Sequence, residues 1–316
     1  MRRPRTTALN HFDGGAIGDA GDRLSALLRA NNIDVRPDSW MDQSLRVCRS
    51  FAEADRVAVA DLDDVRRRRA RMADVHLMAA MLANLAVPAH PAFARHLRLL
   101  AKADHSVVQP AERRSHERDR FFELLVASAV APWADAVDLD EPDVLARRGD
   151  TTWAIACKSA GAAGDQLVKN VKYAADQVGR SAGHRGVVVV RVTDLAGAVR
   201  SEAGVPAHLD GPGPTFTSHD AAADGVYEQL DAIVRPEMVV QRATRTRPLG
   251  APNVAAVVFL GHVLCDVLRP EGVRITMLPY WRCFPDVDDL DEGTAGFVDA
   301  LWRGFQPWSS GSHDEP

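Results

Sequence analysis

An aspartate at position 143 and a lysine at 158 lie at the two ends of a segment built to fold back on itself. Glu141-Pro142-Asp143-Val144-Leu145 leads into a turn at Arg148-Gly149-Asp150, and Trp153-Ala154-Ile155-Ala156-Cys157-Lys158 leads out of it. Two runs with β-forming residues joined at Gly149-Asp150 predict a β-hairpin. Twelve residues separate Asp143 from Ala156, so a hairpin of that length brings Asp143 and Lys158 to one end of a sheet. A carboxylate and an ammonium together at a strand end can hold a metal ion and a phosphate.

The flanking segments supply elements to position that pair. From Glu117 to Val130, Phe121, Leu124, Leu125 and Ala129 fall at i, i+3, i+4 and i+8, one apolar face of a helix that Pro132 ends. Glu123 lies off this stripe, between Phe122 and Leu124. Ala134 to Leu139 partly alternates as a half-buried strand does, and the hairpin follows. The link 159–164 is rich in Gly and Ala. Asp165 to Val178 then predicts a helix that buries Leu167, Val171, Ala174, Ala175 and Val178 and leaves Lys169, Lys172 and Gln177 on its other faces. Gly186 to Val192, with four consecutive valines, reads as a strand buried on both sides beside a crossover helix.

Helix with Glu, strand, Pro-Asp strand, x-x-Lys strand, helix, strand: over residues 117–194 this order resembles the PD-(D/E)xK nuclease superfamily, the restriction-endonuclease-like fold. The family's acidic-x-Lys triplet is here Ala156-Cys157-Lys158, with alanine in place of the second carboxylate. The resemblance implies a site for Mg2+ or Mn2+ with Asp143 as bridging ligand, the Cys157 backbone carbonyl as a second, and Glu123 as a direct or water-mediated third. Lys158 would orient the attacking water and stabilise charge on the phosphate. Two carboxylates suffice for magnesium when waters and the substrate phosphate complete its shell. A carboxylate from elsewhere would make up the shortfall, and Asp165 at the start of the next helix is the nearest candidate. A glutamate at 156 would restore the anionic ligand.

Each residue also has an ordinary structural use. Pro-Asp commonly starts a turn, a lysine commonly ends a strand, and Glu123 could be a surface carboxylate. The joint match of types, spacing and element order favours the nuclease. Alanine at 156 is what a catalytically inactive module that binds nucleic acid or a protein partner would carry. A third reading is a helical interaction protein with a sheet that only looks nuclease-like.

Composition fits a folded chain of one or two domains: 316 residues, 46% hydrophobic. No apolar run approaches the roughly 18 residues of a membrane span, and Met1-Arg2-Arg3-Pro4-Arg5 is not followed by a signal-peptide core, so the expected location is cytoplasmic. Cys48, Cys157, Cys265 and Cys283 are far apart, which suggests neither a disulfide framework nor a zinc knuckle. The histidines include no zincin-type His-x-x-x-His pair. Gly179-Arg180-Ser181-Ala182-Gly183 matches a serine-hydrolase pattern, but a helix precedes it and a strand follows, the reverse of what that nucleophile needs.

The net charge of −5 is uneven. Residues 1–110 hold 17 Lys and Arg against 13 Asp and Glu, a net of +4, leaving −9 for the rest. That first part reads as an all-helical domain, with helices over 21–30, 39–54, 62–85 and 91–103. Its run Arg66-Arg67-Arg68-Arg69 with Arg71 is either a salt-bridged solvated face, given Asp63 and Asp64 one turn earlier, or a phosphate contact. Residues 111–308 form the nuclease-like domain, with a loose connection near 204–214, a helix over 220–234, strands over 255–264 and 273–278 that extend the sheet, and a helix over 296–305. Residues 309–316 read as a disordered tail. The expected fold class is therefore α/β, a mixed restriction-endonuclease-like sheet flanked by helices after a helical N-terminal domain. The expected activity is metal-dependent hydrolysis of DNA, with Arg66, Arg69, Arg71, Lys169 and Lys172 holding the substrate. RNA in place of DNA, and a homodimer that cuts both strands, are left open by the sequence.

Overall fold

The computed structural model describes residues 14–53, 71, 75, 91–104, 106, 115–181, 183–204, 214–245, 249, 254–269 and 272–305. Helices α1 (Gly14–Ala30), α2 (Trp40–Glu53) and α3 (Pro91–Leu100) come first, then α4 (His116–Val130). Strands β1 (Ala136–Asp138), β2 (Val144–Arg148) and β3 (Thr151–Ser159) follow, then α5 (Asp165–Val178) and β4 (Arg185–Arg191). A 3-10 segment (Thr193–Ala198), β5 (Thr215–Phe216), α6 (His219–Val234), α7 (Pro236–Ala243), β6 (Ala256–Arg269), β7 (Gly272–Phe284) and α8 (Glu292–Phe305) complete the order.

The fold is α/β with a mixed seven-stranded sheet in the order β1-β2-β3-β4-β6-β5, with β7 also paired to β6. The hairpin forms as read: β2 runs antiparallel to β3 with Val144 opposite Ile155, and Gly149 turns the chain at φ +55°, a conformation glycine adopts without strain. β3 is parallel to β4 and β4 to β6, the crossover from β3 to β4 being α5. The strands read over 255–264 and 273–278 are longer than the sequence indicated, pairing from Val257–Phe284 to Arg269–Gly272. Pro279 interrupts the apolar pattern but not the strand, because among the described residues β7 pairs only with β6, and an edge strand can spare a backbone donor.

Period-two alternation sends the sheet's side chains into two cores. Trp153, Ile155, Cys157, Val187, Val189, Ala256 and Val258 face α4, α8 and the N-terminal helices; Ala156, Val188, Val190, Val257 and Phe259 face α5, α6 and α7. The first cluster is continuous from Leu24 and Leu28 of α1 to Leu301 of α8. It encloses α4 so completely that every residue from Phe121 to Val130 is buried. Helix α8 presses on α4 at Gly304, where a methyl group would collide with the backbone of Ala129. Ser115 caps α4, its side chain accepting from the Arg118 N–H.

The expected helix over 62–85 lies outside the described residues except Arg71 and Val75, both helical. Residues 205–213 and 309–316, read as a mobile connection and a tail, are also outside them. No described helix is long and apolar enough to cross a membrane.

Candidate active site

The hairpin opens at its far end, and that opening builds the site. Val144 and Ile155 are the last paired residues of β2 and β3. In the same register Cys157 would face Pro142, which has no N–H to donate. The Cys157 N–H donates instead to Asp143 Oδ2 at 2.7 Å, so a side-chain carboxylate takes the place of the next strand acceptor. Ala160 N–H donates to the Arg191 carbonyl of β4. By strand alternation both backbone groups of Cys157 therefore point the other way, toward β2, and its carbonyl faces the gap beside Asp143.

Lys158 reaches the same carboxylate, with Nζ 3.1 Å from Asp143 Oδ2, and each side chain is 14% exposed. Asp143 Oδ1 accepts no hydrogen bond among the described residues. Burial pushes the Asp143 carboxyl above the usual aspartate range; the Lys158 charge and the Cys157 N–H pull it down, and the negative charge of Glu123 raises it again. Glu123, on α4, is thus within electrostatic reach of Asp143. It is buried, not a surface carboxylate, and is clamped from two sides. Arg120 Nη1 donates to Glu123 Oε1 at 2.7 Å, and His96 Nε2 lies 2.8 Å from Oε2. The other ring nitrogen of His96 lies 2.8 Å from the Ala92 carbonyl, which can only accept, so Nδ1 carries a proton.

Two helices wall the rim. On one face α4 brings Glu123 and, one turn earlier, Asp119; both negative charges, with that of Asp143, add to burial in holding the Cys157 thiol well above its ordinary range, the Lys158 charge opposing them. Cys157 is therefore a packed thiol and a poor nucleophile. On the other face α5 presents Tyr173, whose ring centroid lies 5.6 Å from Lys158 Nζ. Asn170 Nδ2 donates to the Ser159 carbonyl at 3.2 Å, and Gln177 donates to the Pro142 carbonyl. Lys169 and Lys172 are exposed on this helix. Ala156 shares the face of Lys158 and packs fully buried in the cluster beneath α5.

The structure thus brings together Asp143, Lys158 and Cys157, with Glu123 acting on Asp143 through its charge and Lys169 and Lys172 on the neighbouring helix. Asp165, the candidate further carboxylate, pairs with Arg242 of α7 at 2.8 Å. Arg66 and Arg69 lie outside the described residues. Arg71 is engaged with α2, donating to Gln43 with its guanidinium 5.0 Å from the Trp40 ring centroid. Sequence reasoning missed His96, Tyr173 and Arg120. Only Arg120, three residues before Glu123, carried a local signal, since side chains at i and i+3 meet on a helix.

Among the described residues no three His, Cys, Asp or Glu side chains gather as a metal-binding group. Asp143 and the backbone of Cys157 lie together at the strand end, and the charge of Glu123 acts on Asp143 from α4; oxygen donors of this kind suit a hard divalent cation able to keep several waters. No protein-family model, curated protein or solved structure matches this chain.

Proposed function

We propose that this protein is a divalent-metal-dependent endonuclease of the restriction-endonuclease-like fold that hydrolyses phosphodiester bonds of DNA. The observation that carries the reading is the opened hairpin end, where Asp143, Lys158 and the Cys157 carbonyl meet at a solvent-reaching rim faced by the charge of Glu123. A buried carboxylate whose ionisation is further opposed by a neighbouring negative charge is the kind of group a cation relieves. Asp143 Oδ1, the Cys157 carbonyl and Glu123 would hold magnesium or manganese, which when bound compensates phosphate charge and makes water a better nucleophile.

The chain's own residues supply the rest. Lys158 offers its ammonium to a phosphate oxygen and to the attacking water, and Asp143 keeps it extended along the rim. His96 and Arg120 hold Glu123 in one orientation, so its carboxylate need not reorganise as charge develops. Lys169 and Lys172 add positive charge beside the rim for the flanking phosphates.

Incubation of plasmid and linear DNA, and of RNA, with the purified protein in magnesium, manganese or a chelator tests this. Cutting should need the metal, and Asp143→Ala or Lys158→Ala should each lower the rate by about 100- to 1,000-fold with the fold intact. Unchanged cutting in either variant would sink the site assignment. The rival reading, a module that binds without cutting, rests on Ala156: the second carboxylate is replaced by a methyl group in the α5 core. DNA binding with no cutting in any metal would establish that reading.

A further inference from the structure

We infer that Tyr173 is a stacking platform for a nucleobase that has left its pair beside the scissile phosphate, so that the preferred substrate is DNA with an unpaired base at the cut. This rests on the nuclease reading and adds a substrate class to it.

Tyr173 and Val287 are the large hydrophobic side chains left exposed among the described residues, and Tyr173 is 64% exposed. A lone exposed aromatic is unremarkable in itself, so its position is what matters. Lys158 Nζ approaches both the Tyr173 ring and the Asp143 carboxylate. The ring is therefore separated from the reacting rim by no more than one ammonium group and its two contacts, within reach of the nucleotide next to a phosphate held there.

Helix periodicity extends the surface. Lys169, Tyr173 and Gln177 fall at i, i+4 and i+8 and form one stripe along α5. Gln177 fixes one end of it, donating to the Pro142 carbonyl immediately before Asp143. The other end carries the exposed Lys169, and the exposed Lys172 is the residue before Tyr173. Exposed cations interleaved with an open aromatic ring are the elements of a surface that tracks a single strand, the cations taking phosphates and the ring taking a base. In a continuous duplex both faces of each base are already covered by neighbours, which leaves nothing to stack on Tyr173. A base released from pairing has a free face. The second occupant that the chemistry allows is Lys158 alone, with the ring serving only as its cation–π partner.

The test compares binding, with the chelator present so that nothing is cut, to a paired duplex and to the same duplex with one unpaired 2-aminopurine. Wild type should prefer the second, and the fluorescence of the 2-aminopurine should be quenched on binding. Tyr173→Ala should reduce the preference by about 10-fold, the worth of one base–aromatic stack, and abolish the quenching, while Tyr173→Phe should keep both. The ring is exposed, so neither change removes core packing. Equal affinity of wild type for the two DNAs, or an unaltered preference in Tyr173→Ala, would overturn the inference while leaving the nuclease reading in place. Absence of binding to any DNA, joined to absence of cutting, would remove both.

Discussion

Two charged clusters lie near the carboxyl ends of β3 and β4, and they are built on opposite rules. In the first, Arg118 of α4 donates to Asp194 and to the Ser106 carbonyl, while Arg191 donates to the Arg118 carbonyl and stands 3.7 Å from Asp194. Opposite charges answer one another there, deep in the fold. In the second, Asp143 has one cation, a like-charged neighbour in Glu123, and an oxygen that accepts nothing among the described residues. Burial alone does not set the two clusters apart. What separates them is whether the partners are already supplied from within.

That difference can be broken most forcefully at Asp194. Asp194→Ala should cost about 3–5 kcal/mol, because it strands two buried guanidinium groups, and at roughly 2–4 °C per kcal/mol the thermal midpoint should fall by about 10 °C. Asp143→Ala removes a carboxylate that burial and Glu123 already disfavour, so its midpoint should stay within a few degrees of wild type. Equal losses in the two variants, measured by calorimetry, would erase the distinction.

His262 tests the first cluster from another side. Burial, and then the charge of Arg191, lower its imidazole to about 4, although the Phe305 carbonyl favours the proton. The unfolded chain, with an ordinary value near 6.5, therefore binds the proton first. Stability is full above about pH 6.5 and is lost as pH falls toward 4, by roughly 3 kcal/mol. Urea titrations across that window should show the slope, and His262→Phe should flatten it; an unchanged slope would place the titrating group elsewhere.

The smallest expected effect belongs to the second cluster. His96→Gln removes the ring behind Glu123, and loss of such an outer partner should weaken manganese binding by at least about 10-fold. Calorimetric titration reads this without any turnover. Affinity equal to wild type would mean that Arg120 alone orients the carboxylate.

The parts of this fold that were legible in the sequence are the local ones. Asp165 to Val178 was bounded to the residue, because its apolar spacing and the flanking glycines agree. The hairpin was legible from its turn, and with it the meeting of Asp143 and Lys158. Less was legible where packing from afar decides. Helix α4 showed one apolar face in sequence, yet it is buried on all sides because α8 and the N-terminal helices cover the face away from the sheet. Glu123 is consequently an interior carboxylate, and its partner His96 stands 27 residues away on α3, a pairing that no local pattern could announce. A proline within β7 hid half of that strand, since only knowledge of which strand forms the edge makes the proline harmless.

The bare contact of Gly304 with Ala129 bears on how the protein is made. The helix that carries Glu123 is made before the surface that covers its back, which belongs to residues 292–305. A nascent chain can close the Asp143 hairpin as soon as Lys158 has left the ribosome. It cannot seat Glu123 against a finished interior until α8 arrives, more than a hundred residues later. The proposed site would therefore stay unfinished for as long as α8 is unmade.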